Sequence, residues 1–183
     1  MKLFITSIDT NIGKTIVSSI VCKALDYSYW KPVQSGDLHN SDSNKIKNLS
    51  PSTFIHPETY RLSQPLSPHE SANRDGIRIT LKKFKLPQNE KLVIEGAGGV
   101  MVPLNEFGDM IIDLATIFEC SLLLVVKNYL GSINHTLLTV KLLQEKGFDV
   151  TGYDINTITS SLITVRNSIQ ETVQDRDIIF VAV

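Results

Sequence analysis

Short runs of consecutive apolar residues recur along the chain at Leu3–Thr6, Leu92–Ile94, Leu122–Val126, Val150–Ile155 and Ile178–Val181. They are rich in Val, Ile and Leu and lack strict polar alternation, which predicts strands buried on both faces, as in a parallel sheet. Between them the spacing turns helical. Ile16, Ile20 and Ala24, with Val17 and Val21, predict one apolar helix face, and Ile112, Ala115, Ile117 and Phe118 predict a second. Leu137, Leu138, Lys141, Leu142 and Glu145 continue a third helix, with Gly147 as its stop. Residues 161–174 predict a last helix before the terminal strand. Strands alternating with helices indicate an α/β fold, a mostly parallel sheet flanked by helices and joined by right-handed crossovers. Residues 36–90 differ: they are rich in Ser, Asn, Pro and His and show little periodicity. A stretch of this kind inside a domain reads as an irregular functional insertion.

The 183 residues allow one compact domain. Eighteen basic and 19 acidic side chains leave a formal net charge of -1, so no basic excess exists to hold a nucleic acid. Apolar residues make up 42% and charged residues 20%, a globular composition. The two cysteines, Cys22 and Cys120, form no Cys-x-x-Cys pair, which speaks against zinc and a disulfide framework. No apolar run approaches membrane-spanning length, and Met1–Ile5 is too short for a signal peptide. The expectation is a soluble, cytoplasmic protein with no membrane partner.

The first predicted strand is followed by Ser7-Ile8-Asp9-Thr10-Asn11-Ile12-Gly13-Lys14-Thr15 and then a helical pattern. Strand, loop and helix ending in Gly-Lys-Thr form a phosphate cradle, because amides of the loop and helix N-terminus point at an anion. Lys14 supplies a point charge for the outer phosphates, and the Thr15 hydroxyl can ligate magnesium. The strict G-x-x-x-x-G-K-[ST] pattern fails, since Ile8 occupies its first glycine position. Phosphate transfer also needs acidic partners for the metal. Glu95 ends a predicted strand and opens Glu95-Gly96-Ala97-Gly98-Gly99, the place where ligands gather in an open α/β sheet. Asp42, in Asn40-Ser41-Asp42, reads equally well as a metal ligand or a turn aspartate.

Together these motifs resemble the dethiobiotin synthetase family. Residues 9–15 are similar to its variant P-loop, which carries one extra residue between its glycines. Lys31-Pro32-Val33-Gln34-Ser35-Gly36, the loop Asp42, Ser67-Pro68-His69-Glu70-Ser71-Ala72, Glu95–Gly99 with Val102-Pro103-Leu104, Leu130-Gly131-Ser132-Ile133-Asn134-His135-Thr136 and Gly152 to Asn156 follow in the family's order. The resemblance implies a P-loop NTPase-like fold and an ATP- and Mg2+-dependent ring closure. Its substrates would be 7,8-diaminopelargonic acid, carbon dioxide or bicarbonate, and ATP, and the route a carbamate and then a mixed anhydride with phosphate. It implies catalytic roles for Lys14 and Lys31. Nucleotide binding would fall to Asn11, Ile12, Gly13, Lys14, Thr15, Ile16, Glu95, Gly96, Ala97, Gly98 and Asn156. Magnesium would be held by Thr15, Asp42 and Glu95. Substrate would meet Thr10, Lys31 and Ser35, with Leu130, Gly131, Ser132 and Asn134 of a neighbouring subunit, so a homodimer is implied.

Bland readings stand beside several of these. Ser132 or Asn134 can simply cap a helix. Asn156 can be a turn asparagine. His135 and His69 read as structural, and Trp30 and Tyr60 as packing residues. The chain departs from the family pattern at Ser7, where the first loop glycine is expected, and at Asn11, where relatives often carry an acid. Ile178–Val181 reads as the last strand, without the adenine loop and final helix that follow in relatives. Three other functions are weighed, one of them the synthetase part of a corrinoid amidotransferase, against which the length of the chain speaks. A regulatory ATPase of the ParA or MinD type would carry a signature lysine where Asp9 stands. A degenerate paralogue would bind nucleotide without turning it over.

Overall fold

The computed structural model describes residues 1–153, 164–165 and 178–182. Its strands are β1 (Lys2–Ser7), β2 (Ser28–Trp30), β3 (Val33–Ser35), β4 (Ile55–His56), β5 (Tyr60–Leu62), β6 (Leu92–Gly99), β7 (Ser121–Val126), β8 (Val150–Tyr153), β9 (Thr164–Val165) and β10 (Ile178–Ala182). Its α-helices are α1 (Lys14–Leu25), α2 (Asp42–Leu49), α3 (Pro68–Arg74), α4 (Ile111–Ile117) and α5 (Ser132–Glu145). Eight strands form one sheet in the order β4-β2-β6-β1-β7-β10-β8-β9, and β3 and β5 form a small second sheet. Among the described residues, every pairing between these strands is parallel. The predicted strands are all present, and the α/β expectation holds.

The centre of the sheet is what the apolar runs require. Leu122, Leu124 and Val125 of β7, Phe4 and Ile5 of β1, and Leu92, Val93 and Ile94 of β6 are all buried. Each such side chain contributes roughly 1.5–3 kcal/mol when fully removed from water. The two faces are covered by different helices. Along β2, Tyr29 and Trp30 alternate across the sheet. Trp30 packs against Phe118 at the end of α4, 5.8 Å between ring centroids, while Tyr29 reaches Glu95 on the α1 face.

β1 and β6 run in register from Lys2↔Leu92 to Ile5↔Glu95, then slip so that Ser7 pairs with Gly99. β6 therefore bulges over Gly96–Gly98 at its carboxyl end. Gly98 has φ +67, and a Cβ there would lie 2.8 Å from Val102 Cγ2, so the bulge needs glycine.

Some helix expectations change. α1 turns Val17, Ser18, Ser19 and Cys22 inward and leaves Ile16 and Ile20 exposed. Its orientation follows a polar contact, since Ser18 donates to the buried Glu95. α4 buries Ile111, Ile112, Leu114 and Ala115 and exposes Ile117. α5 buries Thr139, Val140 and Leu143 and leaves Leu137 and Leu138 exposed. This helix is apolar on two sides, and one chain covers only one. Residues 36–90 hold α2, α3 and two short strands. Thr164 and Val165 pair with β8, so the helix expected over 161–174 does not hold there. The rest of that stretch, and the end of the run predicted at Val150–Ile155, lie outside the described residues. Among the described residues, no helix is long and apolar enough to cross a membrane.

Candidate active site

The loop after β1 closes on itself through Lys14. Gly13 caps α1 with φ 113, and Asn11 also takes a left-handed φ of 55, which asparagine tolerates better than most residues. Ser7 does not need that conformation: it ends β1 and lies outside the positive-φ residues. Its departure from glycine therefore carries no left-handed strain. Its hydroxyl instead accepts from Lys14 Nζ at 2.9 Å, and Lys14 also donates to the Asp9 carbonyl at 3.2 Å. Both partners are neutral. Burial, then the nearby Lys31 charge, push the Lys14 ammonium down to about 8, against the opposing pull of Glu95, Asp42 and Asp9.

At the carboxyl end of β6, Glu95 is 1% exposed and accepts four hydrogen bonds. Thr15 Oγ1 and Lys31 Nζ donate to Oε1 at 2.9 and 3.1 Å. Ser18 Oγ and Tyr29 Oη donate to Oε2 at 2.8 and 3.0 Å. Lys31 also donates to the bulge carbonyl of Gly96 at 2.9 Å and pairs with Asp42 Oδ2 at 2.8 Å. Burial is the largest influence on Lys31 and disfavours its charge, but Glu95 and Asp42 outweigh it and raise its pKa above the ordinary lysine value. Burial likewise pushes the Asp42 carboxyl up, and Lys31 followed by Lys45 overcomes that to hold it at about 2. Asp42 is placed by the second-strand segment: Ser41 caps α2, and the Asp42 amide donates to Gln34 Oε1 at 3.1 Å. It is the first residue of a helix and not a turn aspartate.

Lys31, Asp42, Glu95 and Thr15 thus share one cluster, and Lys14 lies within their electrostatic field. Lys31 and Lys14 lie by the two carboxylates, and Lys45 also pairs with Asp42 Oδ1 at 3.2 Å. A polyphosphate entering this place brings excess negative charge that needs a cation. The convergent donors, a hydroxyl and two carboxylates, are all oxygen, the set that suits a hard divalent ion such as magnesium. Ser35 Oγ, at the end of β3, is buried with no hydrogen-bond partner in the structure. Thr10 is exposed, its amide turned onto Asp9 Oδ1 at 2.7 Å. It borders a cavity of about 740 Å³ whose walls include Gly99, Val102, His135, Leu138 and Leu142. A second cavity of about 680 Å³, between His69, Asn73, Arg78 and Asn105, includes none of the residues assigned to the site.

A family model described as an AAA domain matches residues 1–179. The ATP-dependent dethiobiotin synthetase of Christiangramia forsetii is 50% identical over 152 residues, 81% of this chain and 72% of its own length. That of Cytophaga hutchinsonii is 49% identical over 159 residues, 85% and 76%. That of Chlamydia pneumoniae is 42% identical over 156 residues, 85% and 70%. The chain belongs to the dethiobiotin synthetase family. The sheet described above is the P-loop NTPase-like architecture of that membership.

Several residues of this dethiobiotin synthetase family member take places that sequence reasoning did not foresee. Tyr29 and Ser18 hold Glu95, and nothing in their local pattern marks them; strand alternation from Lys31 and helical spacing from Thr15 were the available signals. Helix α5 is capped by Gly131 at φ 100, with no side-chain cap bond, so neither Ser132 nor Asn134 is the cap. Leu130 is fully exposed, and Ser132 is buried. His135 Nδ1 lies 2.6 Å from Tyr129 Oη. His69 Nδ1 lies 3.1 Å from Ser67 Oγ, in keeping with a loop role. Trp30 and Tyr60 are buried packing residues. Ile12 is buried and the Ile16 side chain is exposed. Asn156 lies outside the described residues.

Proposed function

We propose that this chain uses ATP to close 7,8-diaminopelargonic acid with carbon dioxide into the cyclic urea dethiobiotin, a step of biotin biosynthesis. The observation that carries the reading is the buried Lys31 joining Asp42 and Glu95 beside the Lys14 loop. One substrate amine adds carbon dioxide and loses a proton, giving a carbamate. A carbamate oxygen attacks the γ-phosphorus, and the bond to the bridging oxygen breaks toward ADP. The second amine then attacks the carbamoyl carbon and gives up a proton, the C–O bond breaks, and phosphate leaves.

The chain's own residues suit each demand. Lys14 can leave its neutral partners, Ser7 and the Asp9 carbonyl, for phosphate oxygens without abandoning a carboxylate. Lys31 remains charged and neutralises the carbamate or the transferring phosphoryl group. The amides of residues 11–16 at the start of α1 face the nucleotide, and the Glu95–Gly98 bulge borders it. Thr15, Asp42 and Glu95 would hold magnesium, which supplies charge against phosphate oxygens when bound. Ser35 Oγ offers a buried hydroxyl to the substrate's nitrogen or carbamate, and Thr10 would meet the same substrate.

The exposed apolar side chains Met101, Ile133, Leu137 and Leu138 support a homodimer. In such a dimer, Leu130, Gly131, Ser132 and Asn134 would bring the N-terminus of α5 to the substrate's distal carboxylate in the partner's site, with the Ser132 amide already given to the Tyr129 carbonyl at 2.9 Å. Residues 1–183 would act as one domain, with the 36–90 insertion supplying Asp42. Buried free thiols suit a reducing, cytoplasmic setting.

The test is ADP release from Mg-ATP and bicarbonate, with and without the diamine. Release that requires the diamine, with cyclic urea formed, is expected. Release indifferent to the diamine refutes the reading in favour of a regulatory ATPase.

A further inference from the structure

Two elements read the Glu95 carboxylate in the same way. On β2 and its extension, Tyr29 and Lys31 are two residues apart and share a sheet face. On α1, Thr15 and Ser18 are three apart and share a helix face. Each pair sends one donor to each oxygen: Thr15 and Lys31 to Oε1, Ser18 and Tyr29 to Oε2. The two oxygens therefore have different surroundings. Oε1 lies with Lys31, which also holds Asp42, at the end where a cation and phosphates would act. Oε2 meets two hydroxyls from residues that are completely buried.

We propose that Tyr29, assisted by Ser18, is a positioning residue that anchors Glu95 Oε2 and so presents Oε1 to an incoming divalent ion. The proposal rests on the functional reading above, because it assigns a purpose to that site's carboxylate. When Thr15 and Lys31 turn toward ligands, Oε1 loses both its donors. Without an anchor, the carboxylate could then rotate about its terminal torsion, which is a broad and soft one. With Tyr29 and Ser18 in place, the second oxygen stays fixed, and the first keeps its aim.

Tyr29→Phe removes one hydroxyl and keeps the ring that fills the core. Manganese serves as the probe. Free Mn2+ is measured by electron paramagnetic resonance with ADP present, so that no turnover is needed. A hydrogen bond to a charged group has a strength that corresponds to about a tenfold loss of Mn2+ affinity in Tyr29→Phe. The KM for the diamine should stay within about twofold, since Tyr29 touches no substrate-facing group. Ser18→Ala should weaken Mn2+ binding in the same direction, and it serves as the second variant if Tyr29→Phe does not fold. Unchanged Mn2+ affinity together with a lowered melting temperature would overturn the proposal and leave Tyr29 a packing residue. A rise in the diamine KM equal to the loss of Mn2+ affinity would also overturn it. A parent protein that binds Mn2+ but never turns over the diamine refutes the functional reading alone. A parent that binds no Mn2+ refutes both.

Discussion

The two lysines of the site should part company in stability while agreeing in activity. Lys31 is 3% exposed and lies between Asp42 and the fully buried Glu95. Lys31→Met removes its ammonium and leaves two carboxylates facing each other, one of them without access to water. Breaking a buried pair by removing one partner costs about 3–5 kcal/mol. The unfolding entropy of a 183-residue chain is about 0.4 kcal/mol per degree, so the melting temperature should fall by roughly 8–13 °C. Lys14 is also buried, but its ammonium rests on a hydroxyl and a carbonyl beside another cation. Removing it relieves burial and repulsion together. Lys14→Met should therefore melt within about 2 °C of the parent or above it. Both variants should lose turnover. Differential scanning calorimetry in metal-free buffer, beside the coupled ADP assay, measures both quantities. A Lys31→Met protein as stable as the parent, or a Lys14→Met protein that falls as far as Lys31→Met, would refute the charge reasoning.

The thiols provide a prediction about pH. Burial, then Glu95, push Cys22 up to about 12, and burial pushes Cys120 up to about 11 despite Lys2. The reactive thiolate appears only as pH nears those values, so at pH 8 neither should react with Ellman's reagent until denaturant exposes them; rapid modification of the native protein would contradict the packing. Leu138→Glu places a charge on the exposed apolar face of α5, and light scattering should then report a monomer whose ADP release no longer responds to the diamine. A dimer that survives this change would put the interface elsewhere.

Much of this was legible in the chain because the informative signals are local. Strand β1, its loop and the start of α1 occupy one contiguous stretch, and the buried runs of β6 and β7 stand out from their surroundings. Glu95 could be placed at a strand end because the strand itself could be read. The segment from 36 to 90 resisted because its elements are short. β4 spans two residues, β5 three, and α2 buries only Ser43 and Ile46, too few positions to establish a period. The faces of α1 and α5 misled for a different reason. Both helices carry apolar residues on more than one side, so spacing alone could not choose the inward one. In α1 the choice follows Ser18, whose partner lies 77 residues away. Tyr29 was invisible likewise, since a tyrosine in a buried strand looks like packing until the carboxylate beside it is seen.

The neutral partners of the Lys14 ammonium also bear on how the molecule meets its ligands. In the proposed reaction, an arriving triphosphate would replace the Ser7 hydroxyl and the Asp9 carbonyl on Lys14 with its own oxygens, and would break no ion pair in doing so.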